Sequence, residues 1–263
     1  IKGSKRNKMS SQTRTVNGIV LKQSATKESD EIITVLSKEL GVINIYAKGA
    51  RRLKNKFHSS VGVFTYSEFV IFEPNSSKLY QLNEGSVKHI FYALSEKVEY
   101  LALAMYMSEL VREVSVPDEM TEEILRLFLN TLHMLTTEKW TVNLCKAAFE
   151  MRLMCNIGYR PNLLGCKKCG KYEDEGFLFD TENGEIVCPD CAREYDMGCI
   201  ICEPSTLMAL RYIAYADLEM MFTFSISGYY LHCLGRICQR FVSEHTKHEY
   251  KTLAFLRSVQ PED

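Results

Sequence analysis

Along the first ninety positions, apolar residues recur in short alternating runs, the two-residue period of a half-buried strand. Residues 15–23, 31–37, 42–47, 66–73 and 78–84 are such runs, rich in Val, Ile, Tyr and Phe. Pro74-Asn75-Ser76-Ser77 separates the last two and predicts a hairpin turn. Five short strands with turns between them fit a small closed barrel such as an OB-fold. An SH3-like barrel or a small open sandwich carries the same pattern.

Beyond Ser86 the period lengthens to three and four. Leu94, Val98, Leu101, Met105, Ser108 and Val111 form one stripe of a long helix. Pro117-Asp118 interrupts it, and Thr121 followed by Glu122 and Glu123 starts another, because acidic side chains suit the N-terminal turn. Ile124, Leu127, Phe128, Thr131, Leu132 and Leu135 are its expected inward face. A third helix is expected over 142–156, ending at Gly158; Ser205 is expected to cap a fourth. A last helix over 229–244 turns Leu231, Leu234, Ile237, Cys238 and Phe241 inward. Such stripes read as packed core and not as cofactor boxes. The expected fold class is therefore multidomain α+β: an N-terminal OB-fold barrel over 9–85, then a helical domain over 86–263. A four-cysteine zinc ribbon is inserted at about 163–195.

A length of 263 residues suits two or three folding units. With 46% hydrophobic and 25% charged residues, the chain is neither disordered nor fibrous. No apolar run reaches the roughly 18 residues of a membrane-spanning helix. Ile1-Lys2-Gly3-Ser4-Lys5-Arg6-Asn7-Lys8 is basic but precedes no apolar core, so it is not a signal peptide. It reads as a vector remnant before Met9; the rival reading is a basic nucleic-acid arm.

The net charge of −1 hides an asymmetry. Residues 9–89 hold 11 Lys/Arg against 7 Asp/Glu, whereas residues 90–263 hold 17 against 26. The N-terminal part is thus expected to meet a polyanion, with chance variation in surface charge as the plainer alternative. Ten cysteines without a secretion signal point to a reducing compartment, the cytoplasm, and to metal ligands or buried thiols instead of disulfides.

Cys166-Lys167-Lys168-Cys169-Gly170 is followed, with eighteen residues between Cys169 and Cys188, by Cys188-Pro189-Asp190-Cys191. This C-x2-C…C-x2-C spacing is that of a zinc ribbon. A two-residue gap lets one tight turn aim two thiolates at a single ion, and Gly170 can adopt the positive φ the turn needs. Two such knuckles would supply four tetrahedral sulfurs at ~2.3 Å and leave no open position, so the zinc, one per chain, is structural. Phe177-Leu178-Phe179 and Ile186-Val187 flank Glu182-Asn183-Gly184, predicting a hairpin with an Asn-Gly turn between the knuckles. Two other readings are four thiols that never meet a metal, and a redox C-x-x-C, which lacks its βαβ context. Cys199-Ile200-Ile201-Cys202 reads as buried small hydrophobes, with a second ion or a replaced knuckle as the alternative. Cys145, Cys155, Cys233 and Cys238 lie on helical faces and belong to the core.

The segment Lys48-Gly49-Ala50-Arg51-Arg52-Leu53-Lys54-Asn55-Lys56-Phe57 carries five cations and no acid. Beside the groove of an OB barrel, cations contact phosphates and aromatics stack under bases; Tyr46, Phe57 and His58 could supply the stacking. A merely solvated surface loop is the alternative.

At these residues the chain resembles the RecO family. Gly18-Ile19-Val20-Leu21-Lys22, then Glu28, Asp30 and Ile33, resemble the family's first two strands. Ala47-Lys48-Gly49-Ala50-Arg51-Arg52, leading to Lys54, Lys56 and Phe57, is similar to its most recognisable motif. Gly158-Tyr159-Arg160-Pro161 before the cysteines fits as well, as does Lys251-Thr252-Leu253-Ala254-Phe255-Leu256 near the end. The resemblance spans residues 14 to 258. It implies a non-enzymatic mediator of DNA repair and homologous recombination in the RecFOR pathway. Such a protein binds single- and double-stranded DNA and anneals complementary strands. With RecR it helps load RecA onto DNA coated by single-strand binding protein, and it is nucleoid-associated in the cytoplasm. Carried over by position, Lys48, Arg51, Arg52, Lys54 and Lys56 become the DNA contacts, and Cys166, Cys169, Cys188 and Cys191 the zinc ligands. Where the family often has Tyr-Gly-Glu before its second strand, this chain has Thr26-Lys27-Glu28. Some relatives lack the cysteines, which makes zinc a fold staple.

No phosphate loop, G-x-S-x-G or His-Glu metal motif is present, and the histidines (His58, His89, His133, His232, His245, His248) are scattered singly. No catalysis is expected. A zinc-ribbon adaptor that binds protein partners without touching DNA is the alternative function; a thiol redox enzyme is a third class.

Overall fold

β1 (Gln12–Ala25) is the strand through which the N-terminal sheet closes on itself. It is followed by β2 (Glu31–Ser37), β3 (Gly41–Ala47), β4 (Thr65–Glu73) and β5 (Tyr80–Ile90). Over Gln12 to Ile19, β1 pairs antiparallel with β4; from Gly18 to Ala25 it pairs antiparallel with β2. β3 pairs with β2 and, in parallel, with β5 at Ile45 and Tyr46; β5 returns antiparallel to β4. The resulting order, β1-β2-β3-β5-β4, leaves each strand with two neighbours. At Gly18 both partners meet β1 at once. A Cβ there would lie 2.5 Å from Val35 Cγ1 and 2.6 Å from the Leu36 carbonyl oxygen, so only glycine fits. A bulge between Val20 and Lys22 bends the strand onward.

The computed structural model describes residues 12–52, 54–74, 79–114, 116–192 and 198–260. Its backbone contacts divide the chain into two units, Ile1–Phe91 with Val116–Leu125, and Tyr92–Ser115 with Arg126–Asp263. The predicted turn at Pro74-Asn75-Ser76-Ser77, Leu53 of the basic segment and the basic N-terminal residues lie wholly or largely outside the described residues.

Alternation along the strands fills the first unit's core. Val16, Val20, Ile33, Val35, Ile43, Ile45, Phe69, Ile71 and Leu82 are buried together, joined by Ala50, Phe57 and Val61 from the β3–β4 connection. Each of the Val, Ile, Leu and Phe side chains contributes roughly 1.5–3 kcal/mol of burial, and the loop's three residues tie it to the barrel interior. Strand β5 corrects the sequence reading: it runs six residues past Glu84, although only Leu82 of it is buried. Cross-strand pairing with β4, and not a buried face, holds that extension. This unit also includes the first turn of α2 (Thr121–Thr136), where Thr121 Oγ1 donates to the Lys38 carbonyl at 2.5 Å and Glu122 pairs with Lys38 at 2.7 Å.

The second unit is built around α3 (Val142–Asn156), in which every residue from Leu144 to Asn156 is buried. α1 (Val98–Glu113), α4 (Pro204–Tyr215) and α6 (Gly228–Thr246) pack on it, and α7 (Lys251–Val259) packs on α1. A short α5 (Leu218–Met221) follows α4. Thr141 caps α3 by accepting from the Leu144 N–H at 3.3 Å. Inside the unit, Glu150 is paired with Lys146 at 2.9 Å and accepts from the Tyr106 hydroxyl at 2.6 Å, so the buried charge is fully partnered. Arg152 donates to the carbonyls of Ile213 and Ala216, satisfying the orphaned C-terminus of α4.

Two helix expectations change. Of the stripe expected for α1, Leu94, Ser108 and Val111 are buried but Val98, Leu101 and Met105 are 52%, 37% and 39% exposed; Tyr100, Leu103, Tyr106, Met107 and Leu110 complete the buried face. The helix is apolar on more than one side, so two stripes fit its period and packing on α7 and α3 selects one. Ser205 lies inside α4: Glu203 is the N-cap and Pro204 occupies the first turn, where its missing N–H costs nothing. The inward face expected for α2 is buried as read. Among the described residues no helix is long and apolar enough to cross a membrane.

Candidate nucleic-acid interface and metal centre

The connection from β3 to β4 is a chain of hydrogen-bonded turns. The N–H groups of Arg52, Asn55 and His58 donate to the carbonyls of Gly49, Arg52 and Asn55, each three residues back. Asn55 stitches the loop further: its Oδ1 accepts from the Phe57 N–H at 2.8 Å and its Nδ2 donates to the Lys48 carbonyl at 3.3 Å. Gly49 opens the loop with φ +69°, a backbone conformation that L side chains rarely adopt; a Cβ there would meet Asn55 Nδ2 at 2.9 Å. Held from beneath by Ala50, Phe57 and Val61, the loop turns Lys48, Arg51, Arg52, Lys54 and Lys56 out to solvent. Among the described residues none of these five cations is in an ion pair. Arg51 Nη1 donates to the Glu28 carbonyl at 3.2 Å, and Lys56 Nζ lies 5.0 Å from the Phe57 ring centre.

The stacking surfaces expected beside the cations are partly withdrawn. Phe57 is 7% exposed and belongs to the core. Tyr46 is half-buried, with its hydroxyl donating to the Asp30 carboxylate. His58 is exposed and sits 3.2 Å from the Ala50 carbonyl. Asp30, buried at the end of the β1–β2 turn, accepts from the Tyr46 hydroxyl and from the Gly49 N–H at 2.7 Å. The Tyr46 hydroxyl, then the Gly49 amide, hold its carboxyl below the ordinary carboxylate range. No local pattern gave Asp30 this role, because its partners lie 16 and 19 residues along the chain.

The second site lies between α3 and α4. Cys166, Cys169, Cys188 and Cys191 bring their four sulfurs within 4.8 Å of one another, close enough to hold a metal ion. Each knuckle is a tight turn: the Gly170 N–H donates to the Cys166 carbonyl at 2.8 Å, and the Cys191 N–H to the Cys188 carbonyl at 3.0 Å. Gly170 takes the positive φ, +74°, that the first turn needs. Cys169 and Cys188 Sγ are 3.6 Å apart, against about 3.8 Å between sulfurs ~2.3 Å from a tetrahedral ion. Burial pushes the Cys166 thiol up, but the amides of Cys188, Cys169 and Lys168 outweigh it and bring the thiol down to about 6. Shared hydrogen bonds with Cys188 and then Cys169 push the Cys191 thiol up to about 12.

Between the knuckles, β6 (Phe177–Asp180) and β7 (Glu185–Val187) form the expected hairpin. Its turn is a four-residue loop, not a two-residue Asn-Gly turn: the Gly184 N–H donates to the Asp180 carbonyl, and the Asp180 carboxylate accepts from the Glu182 and Asn183 amides. A third strand, β8 (Ile200–Cys202), pairs with β6 on its other edge. Cys202 is therefore buried on β8 and Cys199 half-buried beside it; neither belongs to the four-sulfur group. Burial pushes Cys202 and Cys145 up to about 12 and Cys155 up to about 11, as befits packed thiols. Two α4 side chains that sequence reading passed over anchor the module. Arg211 Nε donates to the Leu163 carbonyl at 2.8 Å while its guanidinium stacks 4.1 Å from the Tyr172 ring. The Tyr215 hydroxyl donates to the Pro161 carbonyl and accepts from the Leu163 N–H.

Comparison with known proteins matches both halves of the chain to one family. The family model described as "Recombination protein O N terminal" matches residues 9–91, and "Recombination protein O C terminal" matches residues 95–254. The DNA repair protein RecO of Acetivibrio thermocellus is 33% identical over 244 residues, covering 92% of this chain and 96% of that protein. RecO of Alkaliphilus metalliredigens is 31% identical over 228 residues, 87% of this chain and 92% of that one. RecO of Caldicellulosiruptor saccharolyticus is 28% identical over 243 residues, 92% and 97%. Matched in both halves, in order and along nearly its whole length, the chain belongs to the RecO family of DNA repair proteins.

Proposed function

We propose that this chain is a non-enzymatic mediator of recombinational repair that binds single- and double-stranded DNA through its basic loop and anneals complementary strands. The observation that carries this reading is the set of five exposed cations that, among the described residues, have no carboxylate partner and sit on hydrogen-bonded turns. The strand order β1-β2-β3-β5-β4 supports assigning the N-terminal domain, residues 9–85, to the OB-fold, whose loops and β2–β3 face bind single strands. Lys48, Arg51, Arg52, Lys54 and Lys56 contact phosphates and release counterions. Two strands neutralised on one surface repel each other less, and base pairing completes the annealing. No group of the protein makes or breaks a covalent bond in this scheme.

The four cysteines fit zinc: all four donors are sulfur, and the 3.6 Å between Cys169 and Cys188 Sγ suits two ligands of one tetrahedral ion. When bound, zinc cross-links two knuckles 18 residues apart and braces the β6–β7 hairpin in the helical domain, residues 86–263. Family membership supports the remaining assignments: RecR and single-strand binding protein as partners, RecA as the protein loaded, and the cytoplasm, with the chromosome, as the place of action.

The test is fluorescence anisotropy of a labelled single-stranded oligonucleotide across a salt series, with zinc measured on the same sample. Five phosphate contacts give a log–log salt slope of about −3.5 on single strands. Reversing Arg51, Arg52 and Lys54 together to Glu weakens binding by at least about 100-fold at 0.1 M salt and abolishes annealing. Unchanged affinity in that variant, or a folded, zinc-loaded wild type that does not bind at low salt, overturns the reading in favour of a protein-binding adaptor.

A further inference from the structure

A buried carboxylate stands beside the loop whose cations meet DNA. Asp30 is 7% exposed, and its charge opposes the approach of a polyanion. Coulomb's law alone would make it a liability, so its hydrogen bonds indicate what it does. Oδ1 accepts from the Gly49 N–H at 2.7 Å, the first amide of the basic loop. Oδ2 accepts from the hydroxyl of Tyr46, the penultimate residue of β3. The Asp30 carbonyl accepts from the Thr26 N–H at 3.1 Å, closing the β1–β2 turn on itself. Arg51 continues the seam, its N–H donating to the Ser29 carbonyl at 3.1 Å and its guanidinium to the Glu28 carbonyl at 3.2 Å.

We infer that Asp30 is the positioning residue of the DNA interface, clamping the β1–β2 turn and the basic loop into one rigid surface on which the cations are held in place before DNA arrives. This rests on the basic loop being the DNA-binding surface. A surface already ordered loses less conformational freedom on binding, which offsets the repulsion of one inward-facing charge. The clamp needs the geometry of Gly49, whose positive φ points its N–H back at the turn.

Two substitutions that both remove the negative charge separate clamp from charge. Asp30→Ala loses both side-chain hydrogen bonds. Asp30→Asn retains an oxygen for the Gly49 N–H and an amide that can donate to the Tyr46 hydroxyl. In the full-length protein at 0.1 M salt, Asp30→Ala is expected to bind a fluorescein-labelled oligo-dT about tenfold more weakly than wild type. Asp30→Asn is expected to bind within twofold of wild type, or more tightly. Hydrogen exchange gives a readout independent of DNA: the Gly49 and Arg51 amides exchange faster in Asp30→Ala and stay protected in Asp30→Asn. Should Asp30→Ala fail to fold, Tyr46→Phe removes one bond and keeps the charge, with an expected loss of about threefold. Equal tightening in both Asp30 variants overturns the clamp and leaves only a charge effect; unchanged exchange at Gly49 does so too. A wild type that does not bind the oligonucleotide at all removes the underlying assignment instead, and that outcome is recognised before any variant is compared.

Discussion

Two lysine-rich segments of this chain look alike in sequence and differ in what surrounds them. In the β3–β4 loop, Lys48, Arg51, Arg52, Lys54 and Lys56 face solvent with no carboxylate paired to them among the described residues, and the buried acid beside them, Asp30, is turned inward onto Gly49 and Tyr46. Around the cysteine knuckles, Lys167 is paired with Glu185, and Lys171 with Asp174 at 2.7 Å and Asp190 at 3.4 Å. The first surface presents unneutralised charge to its surroundings; the second has spent its charge on its own fold. A polyanion is recognised by cations left over after internal pairing, not by a count of lysines.

The sharpest way to break that comparison is to remove a knuckle. Cys188→Ser takes one of the two buried sulfurs from the four-cysteine cluster, and in a structural zinc site metal binding is coupled to folding. The expected result is loss of the bound zinc and a fall in the thermal midpoint of the helical unit by about 10 °C or more. Oligonucleotide affinity at 20 °C stays within twofold. Calorimetry, a zinc assay and anisotropy on one preparation read all three. A parallel loss of DNA affinity would show that the two regions are not separable in role.

The difference between the regions was only half visible in the sequence. Alternation located β2 and β3 because one face of each is buried, and the doubled C-x2-C spacing brought out the four cysteines because two turns suffice to aim them. Pairing across the structure was not visible. Val87 to Ile90 carry no buried face, yet they extend β5 against β4. Ile200–Cys202 is too short to show a period and becomes an edge strand only because β6 offers an open side. Phe57, in a loop with no period of its own, could be read as a stacking surface and is in fact core. Asp30 shows the limit most clearly. Its identity was noted in the family resemblance, but its function depends on hydrogen bonds to Tyr46 and Gly49 that no local window contains.

Single-charge substitutions sharpen the contrast with smaller effects. Lys54→Ala removes an unpaired cation and should weaken oligonucleotide binding about three- to fivefold at 0.1 M salt, reducing the salt slope by about 0.7 on single strands. Lys171→Ala removes a cation already neutralised by Asp174 and Asp190 and should leave both affinity and slope unchanged. Titrations of the two variants side by side decide it. Equal losses would mean that DNA also meets the knuckle surface, and that internal pairing does not mark a cation as structural.

The smallest expected effect concerns acid stability and isolates Asp30 from the cations around it. The Tyr46 hydroxyl and the Gly49 amide bond its charged form and hold its carboxyl below the ordinary value. Folding therefore favours the ionised carboxylate. That stabilisation is fully present above the unfolded-state pKa of about 3.9 and is lost as pH falls through the lower folded value. Asp30→Asn has no such proton to take up. Its thermal midpoint should lie below wild type at pH 6, and the gap should close as pH is lowered toward 3. The paired acids at the knuckles serve as the internal comparison: Lys171 and the Glu175 amide likewise hold Asp174 low, so acid also weakens that region, but equally in wild type and in Asp30→Asn. A gap that widens on acidification would mean that the Asp30 carboxylate is not the favoured form in the folded protein, and the clamp would then have to be drawn with a protonated acid.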